Sequence, residues 1–186
     1  MAVQIGARTH TFSDPTGLLT DCHRRVEMFM ASLMAVAQLC EIDLSDEVRH
    51  SLELALRYFR EAAHKHTADE EQSLFPRLRA IDNPELKVAL GALDGLEEDH
   101  RWAEPLHRLV NELGTQCLRA GKLSSPDADQ FRGATQRLYE MYQRHIEVEE
   151  QVVFPIAKKV LSPELKAEMA KEMESRRGLK PVQKIS

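Results

Sequence analysis

Glycine and proline are scarce in this chain, eight of each in 186 residues. No segment keeps up a strand-like alternation either, so the chain reads as all-α. Cysteine is scarcer still. Cys22, Cys40 and Cys117 are an odd set with no CxxC spacing, which excludes a secreted disulfide framework and leaves them as reduced, small apolar packing residues. Positive charge is not in excess: 25 Lys and Arg against 30 Asp and Glu give a net charge of -5. Without a basic field, nothing asks for nucleic acid or anionic lipid as a partner. No uninterrupted apolar run is long enough to cross a bilayer, and the opening MAVQIGARTHTFSDP has neither the basic nor the apolar segment of an export signal. The expectation is a cytoplasmic protein with no membrane partner.

What the chain does have is apolar residues at helical spacing almost throughout, cut by Asp14-Pro15, Ser45, Asn83-Pro84, Ser125-Pro126 and Ser162-Pro163. In the last three pairs the Asn or Ser serves as cap and the proline takes the first helical position, where its missing N–H costs nothing. The punctuation predicts helices over about 15–40, 45–80, 84–121 and 126–160, then a short fifth over about 163–177 and a basic tail, GLKPVQKIS. Short connections make the four long helices an up-down-up-down bundle. The length suits one core, so the expected organisation is an extension over 1–14, a four-helix bundle over 15–160, and the short helix with its tail over 161–186. That fifth helix either caps the bundle or pairs with another chain. Pro76 and Pro155 fall inside the second and fourth helices, and each should kink or end its helix.

One cluster occurs twice. HTADEEQSLFP at 66–76 returns seventy-nine positions later as HIEVEEQVVFP at 145–155, with His, Glu, Glu, Gln, Phe and Pro in the same slots. Cys22-His23-Arg24 and Asp99-His100-Arg101 match at an offset of seventy-seven, so the chain looks like a duplicated helical hairpin. Stepping along the apolar stripes by three or four residues turns His23, His66, His100 and His145 inward, followed by Glu70 on the second helix and Glu149 on the fourth. At about 1.5 Å per residue the four histidines lie at similar heights, roughly 25 to 32 Å from the hairpin turns.

Burying that set uncompensated would cost several kcal/mol per charge, about as much as a whole domain's stability. A pair of metal ions resolves the conflict. The i, i+4 spacing puts both donors of each His–Glu pair on one face of a helical turn. Imidazole with carboxylate suits iron, manganese or zinc, and the lack of inward cysteine argues against an iron–sulfur cluster.

Over about residues 15 to 160 the chain resembles the hemerythrin-like, or HHE cation-binding, domain family. The resemblance is carried by His23, by His66-Thr-Ala-Asp-Glu70-Glu71 with Phe75-Pro76, by Glu98-Asp99-His100, and by His145-Ile-Glu-Val-Glu149-Glu150 with Phe154-Pro155. It implies a bundle around two non-heme iron ions bridged by the carboxylates of the two HxxxE pairs. Oxygen-carrying hemerythrins have HxxxH on the third helix, whereas here the fourth residue after His100 is Glu104. A carboxylate there either takes the extra coordination site or leaves it to water, and His107, one turn on, is its rival. Glu150 has a claim too, because the oxygen carriers take their fourth-helix carboxylate at that spacing, although the internal symmetry favours Glu149.

Other residues read more plainly. Glu71 and Glu150 stand about 140° round an ideal helix from their histidines, as supporting or surface groups. Tyr142 either donates its hydroxyl near the metals or packs in the core. His10, His50 and His64 read as solvated, and Cys22 as turned away by its inward neighbour. The resemblance implies a protein that binds or senses oxygen or nitric oxide in redox or stress response, more a ligand binder than an enzyme. Its alternatives are iron handling or iron–sulfur cluster repair, and an enzyme turning over peroxide or nitric oxide. The sequence implies no substrate-sized cleft.

Overall fold

The computed structural model describes residues 9–179, so most of the expected basic tail and the first part of the extension lie outside them. Among the described residues there are helices and connections but no strand. α1 spans Pro15–Ala37, α2 runs over 46–80, α3 over 84–120 and α4 over 125–160, and α5 spans Pro163–Arg176. Each long helix packs against the next and α4 returns to α1, which closes an up-down-up-down square.

The caps set these boundaries. Side chains of Asp14, Ser45 and Ser162 accept the N–H groups of Gly17, Val48 and Leu165. α4 begins differently from the expectation: Ser124, not Ser125, accepts from the Asp127 N–H, and Pro126 stands one residue deeper. That position also lacks an intrahelical acceptor, so the proline fits there equally well. α1 stops at Ala37, short of the expected Cys40, because the Gln38 and Leu39 N–H groups turn back to Ala35 and Val36. α3 ends on Gly121, whose φ of 86° is open to a residue without Cβ. The two hairpin turns are tied side by side by Leu44 N–H to the Gly121 carbonyl, 3.0 Å, and Leu123 N–H to the Cys40 carbonyl, 2.6 Å.

Neither α2 nor α4 ends at its proline. Each first passes through a π turn, Glu70–Leu74 and Glu149–Val153, in which Phe75 and Phe154 donate to the carbonyls of Glu70 and Glu149, five residues back. The helix restarts at the phenylalanine with Pro76 or Pro155 as an early residue, where a missing N–H is harmless. Beyond Glu149 the next fully buried residue is Val153, whereas Val152 is only partly buried.

The core is split in two. One apolar cluster, with Val26, Leu56, Ala103 and Met141, fills the end toward the hairpin turns. A second, with Leu19, Leu74, Leu96 and Val153, fills the other end. α5 caps this bundle: Met169 and Met173 enter the second cluster, while Arg176 and Arg177 both bond the fully buried Asp69 at 2.8 and 2.6 Å. Glu172 on α5 accepts from Arg77 at 2.8 Å. α5 thus grips α2 at the residue before Glu70.

Candidate metal centre

Every long helix contributes to the layer between the two apolar clusters. The His66 Nε2 lies 3.1 Å from Glu70 Oε1, which also faces His23 Nε2 at 3.9 Å, while Glu70 Oε2 faces His100 Nε2 at 3.6 Å. Across the layer, Glu149 Oε2 stands 3.0 Å from His23 Nε2 and 3.4 Å from His145 Nε2. The donor atoms fall into two groups within metal-binding reach, His23, His66, Glu70 and Glu149 in one and Glu70, His100 and His145 in the other. Glu70 belongs to both, with one oxygen directed to each.

The donor atoms satisfy no one else. Nε2 of His23 and of His145, and all four carboxylate oxygens of Glu70 and Glu149, are buried without a hydrogen-bond partner. Each such group costs about 1–3 kcal/mol, more if charged, so a cluster of six is untenable in a stable domain unless a cation answers it. The acid–base balance agrees. Burial, then the Glu149 charge, pushes the Glu70 carboxyl up to about 8. Burial opposes the ionised form of Glu149 as well, but His145 and His23 outweigh it and hold that carboxyl well below its usual range. Burial likewise works against protonated His23, yet Glu149, Glu150 and Glu70 lift it well above the ordinary imidazole value. Burial and then the charge of His23 push His66 the other way. Protons are standing in for positive charge that a metal pair would supply.

Outside the ring of donors, carboxylates brace the imidazoles. The Nδ1–H of His23 donates to Glu150 Oε1 at 2.9 Å and that of His100 to Glu71 Oε1 at 2.8 Å. His145 Nδ1 lies 3.3 Å from Asp99 Oδ2. Each bond joins neighbouring helices and leaves Nε2 free to face the centre. Glu71 and Glu150 are therefore supports, with Glu150 directed to Nδ1 of His23 and not to the donor cluster. Asp99 was given no role by its sequence; its signal is the place beside His100, which turns it toward the next helix.

The bracing is asymmetric. His66 Nδ1 is buried with no partner. By the duplication, His66 corresponds to His145 and Cys22 to Asp99, so a cysteine stands where the other half has its carboxylate. Cys22 is buried and reduced, as expected of a packing residue, with Arg25 Nη2 3.0 Å from its sulfur. Replacing Cys22 with aspartate is expected to give His66 its missing acceptor and tighten metal binding roughly tenfold; a chelator competition that shows no change, or weakening, would count against the assignment.

Glu104 does not reach the centre. It is exposed and paired with Arg108 at 3.3 Å. His107 Nε2 instead shares a hydrogen bond with the Tyr142 hydroxyl at 2.8 Å, and its ring stacks on Phe59. Burial lowers the His107 imidazole to about 4 and raises the Tyr142 phenol. His50 and His64 are exposed, but His10 is half-buried, its Nδ1 3.1 Å from Asp21 Oδ1.

Since His107 takes a proton near pH 6.5 when unfolded but only near 4 when folded, it lowers stability as pH falls through that interval, by up to about 3 kcal/mol. His107→Gln keeps an acceptor for Tyr142 and removes the titration. Wild type should therefore lose ground to the variant between pH 6.5 and 4 in denaturant melts, and a constant difference would refute the placement.

The structure also contains a cleft that the sequence did not reveal. It lies between α2 and α3, about 480 Å³ in volume, with Leu56, Phe59, Ala103 and Val110 among its walls. Leu56 is packed in turn against Gly114, where a Cβ would come within 2.8 Å of the Leu56 side chain. At the inner end Ala63, Thr67, His100 and Tyr142 are shared with a small cavity lined also by His23, His66 and His145.

Residues 14–157 match the family model described as Hemerythrin HHE cation binding domain. An uncharacterized protein of Haemophilus influenzae is 30% identical over 171 residues, 91% of this chain and 94% of that protein. No solved structure matches the chain at a significant level. No helix among the described residues is long and apolar enough to cross a membrane. The cluster of histidines and glutamates is that of a metal-binding protein.

Proposed function

The chain belongs to the hemerythrin HHE cation-binding family, and from that premise we propose that it holds two non-heme iron ions and uses them to bind or sense oxygen or nitric oxide. His23, His66, His100 and His145, with Glu70 and Glu149, would hold the ions. The observation that carries this reading is Glu70, whose two oxygens are divided between two donor groups. Bound iron would supply a change of oxidation state and an open position for a small ligand.

The chain's own residues shape access and polarity. Glu104 points to solvent and leaves the α3 side of the centre without a further donor. The small cavity against His100 and His145 also has Val26 and Ile146 among its walls. Tyr142 lines it and is hydrogen-bonded to His107, which fixes the phenol at the boundary between cavity and cleft. Glu71, Glu150 and Asp99 hold the rings in register and raise their basicity as donors. The test is optical: protein loaded with ferrous iron should change its absorption spectrum on exposure to oxygen or nitric oxide. No change with either gas would overturn the proposal.

A further inference from the structure

We infer that the cleft between α2 and α3 is a binding site for a small organic anion with an apolar body, of the class of monocarboxylates with about eight to ten carbons. The proposed metal centre enters only in what such an occupant would lie beside. Size is the first ground. A molecule the size of water takes up about 30 Å³, so a cleft of about 480 Å³ has more than tenfold the room that a diatomic gas needs. Its volume falls in the range of pockets that take organic ligands, roughly 300–1,000 Å³.

The second ground is how the cleft is built. α2 carries a π turn at Phe59–Ala63 that contains none of the metal-facing residues, yet Phe59, Arg60 and Ala63 of that turn line the cleft. Such turns cost helix stability and recur at functional sites. On the facing wall Pro105 interrupts the hydrogen bonding of α3 within the same stretch that supplies Ala103, Glu104 and His107. The two helices approach closely at Gly114 and Leu56, and Leu56 also lines the cleft. Two departures from regular helix face each other across one opening.

Charge and hydrogen bonding select the occupant. The mouth has three guanidinium groups, Arg60, Arg101 and Arg108, each more than half exposed. Their acidic partners are exposed residues of their own helices, contacts worth little. Two carboxylates also line the cleft, Glu104 at 3.3 Å from Arg108 and Glu71 bonded to His100, and the three guanidinium groups outnumber them. A cationic head would meet those guanidinium groups, whereas a carboxylate could accept from them bidentately. Below the mouth lie apolar walls, and on one side the Asn111 side-chain oxygen is buried without a partner. Its amide can turn either oxygen or nitrogen toward a ligand. The body would then reach Tyr142 and His107 and stop against the wall shared with the metal-facing cavity.

The full-length protein, in metal-loaded and metal-free forms, is titrated calorimetrically with decanoate and with decylamine. Decanoate is expected to bind at one site, at least about tenfold more tightly than the amine. Ala103→Phe, which fills the cleft, should abolish binding, and Arg60→Glu with Arg108→Glu should remove the preference for the acid. The second pair changes exposed residues, so it decides the matter if the first variant does not fold. Absence of decanoate binding, equal binding of the amine, or undiminished binding by folded Ala103→Phe would overturn the inference. Decanoate binding by protein that takes up no metal would support the cleft and sink the metal proposal. Metal-loaded protein that ignores decanoate would do the reverse.

Discussion

Glu70→Gln is expected to weaken metal binding at least about a hundredfold, and at both positions together, while Glu104→Gln leaves it unchanged. Loss of a carboxylate that merely supports a ligand costs 10- to 100-fold in affinity. Glu70 is more than a support. Its Oε1 faces His66 and its Oε2 faces His100, so one substitution strips a donor from each group. Glutamine preserves the volume and adds an N–H where a cation would sit, so the loss is electrostatic rather than a packing defect. Glu104 is a fair control because it is the fourth residue after His100 on α3 but is exposed and paired with Arg108. Chelator competition on the two variants checks the pair. Equal affinities would mean that Glu70 ligates nothing.

Asp69→Ala is expected to cost about 3–5 kcal/mol of stability, the usual penalty for removing one side of a buried ion pair. At about 2–4 °C per kcal/mol for a chain of this size, the melting temperature should fall by roughly 6–20 °C. The carboxylate is fully buried and answers two guanidinium groups from α5, at 2.8 and 2.6 Å, so alanine leaves both without it. Replacing all three partners with apolar residues, Asp69→Leu with Arg176→Met and Arg177→Met, should recover most of the loss, because a buried pair adds little net stability over packed side chains. Asp69 also immediately precedes Glu70 in the chain, where the π turn begins. The alanine variant should therefore hold metal more weakly than the apolar triple variant. A melting temperature unchanged by Asp69→Ala would show that α5 does not clamp the turn.

The helical stripes carried most of the fold. Leu19, Val26 and Met30 on α1, and Phe131, Ala134 and Leu138 on α4, recur at helical spacing and are all buried. The same stepping turned His66 and Glu70 inward, because a histidine four residues from a glutamate on an apolar face has few other places to point. Three things did not follow from spacing. The π turns at Glu70–Leu74 and Glu149–Val153 depend on a bond five residues back, whose trace in sequence is only the Phe-Pro that restarts the helix. The clamp of Asp69 by Arg176 and Arg177 joins charges more than a hundred residues apart that look like ordinary solvated residues in sequence. The cleft is a gap between two helices, and a gap leaves no residue type of its own; Pro105 and Gly114 acquire meaning only when α2 is set against α3.

The central claim is that six side chains from four helices enclose a pair of metal ions, and elemental analysis of the purified full-length protein tests it most directly. After reconstitution with ferrous iron without oxygen and removal of excess, the account predicts about two irons per chain, retained through desalting. A folded protein that keeps fewer than about half an iron per chain, and no other metal in its place, would contradict it.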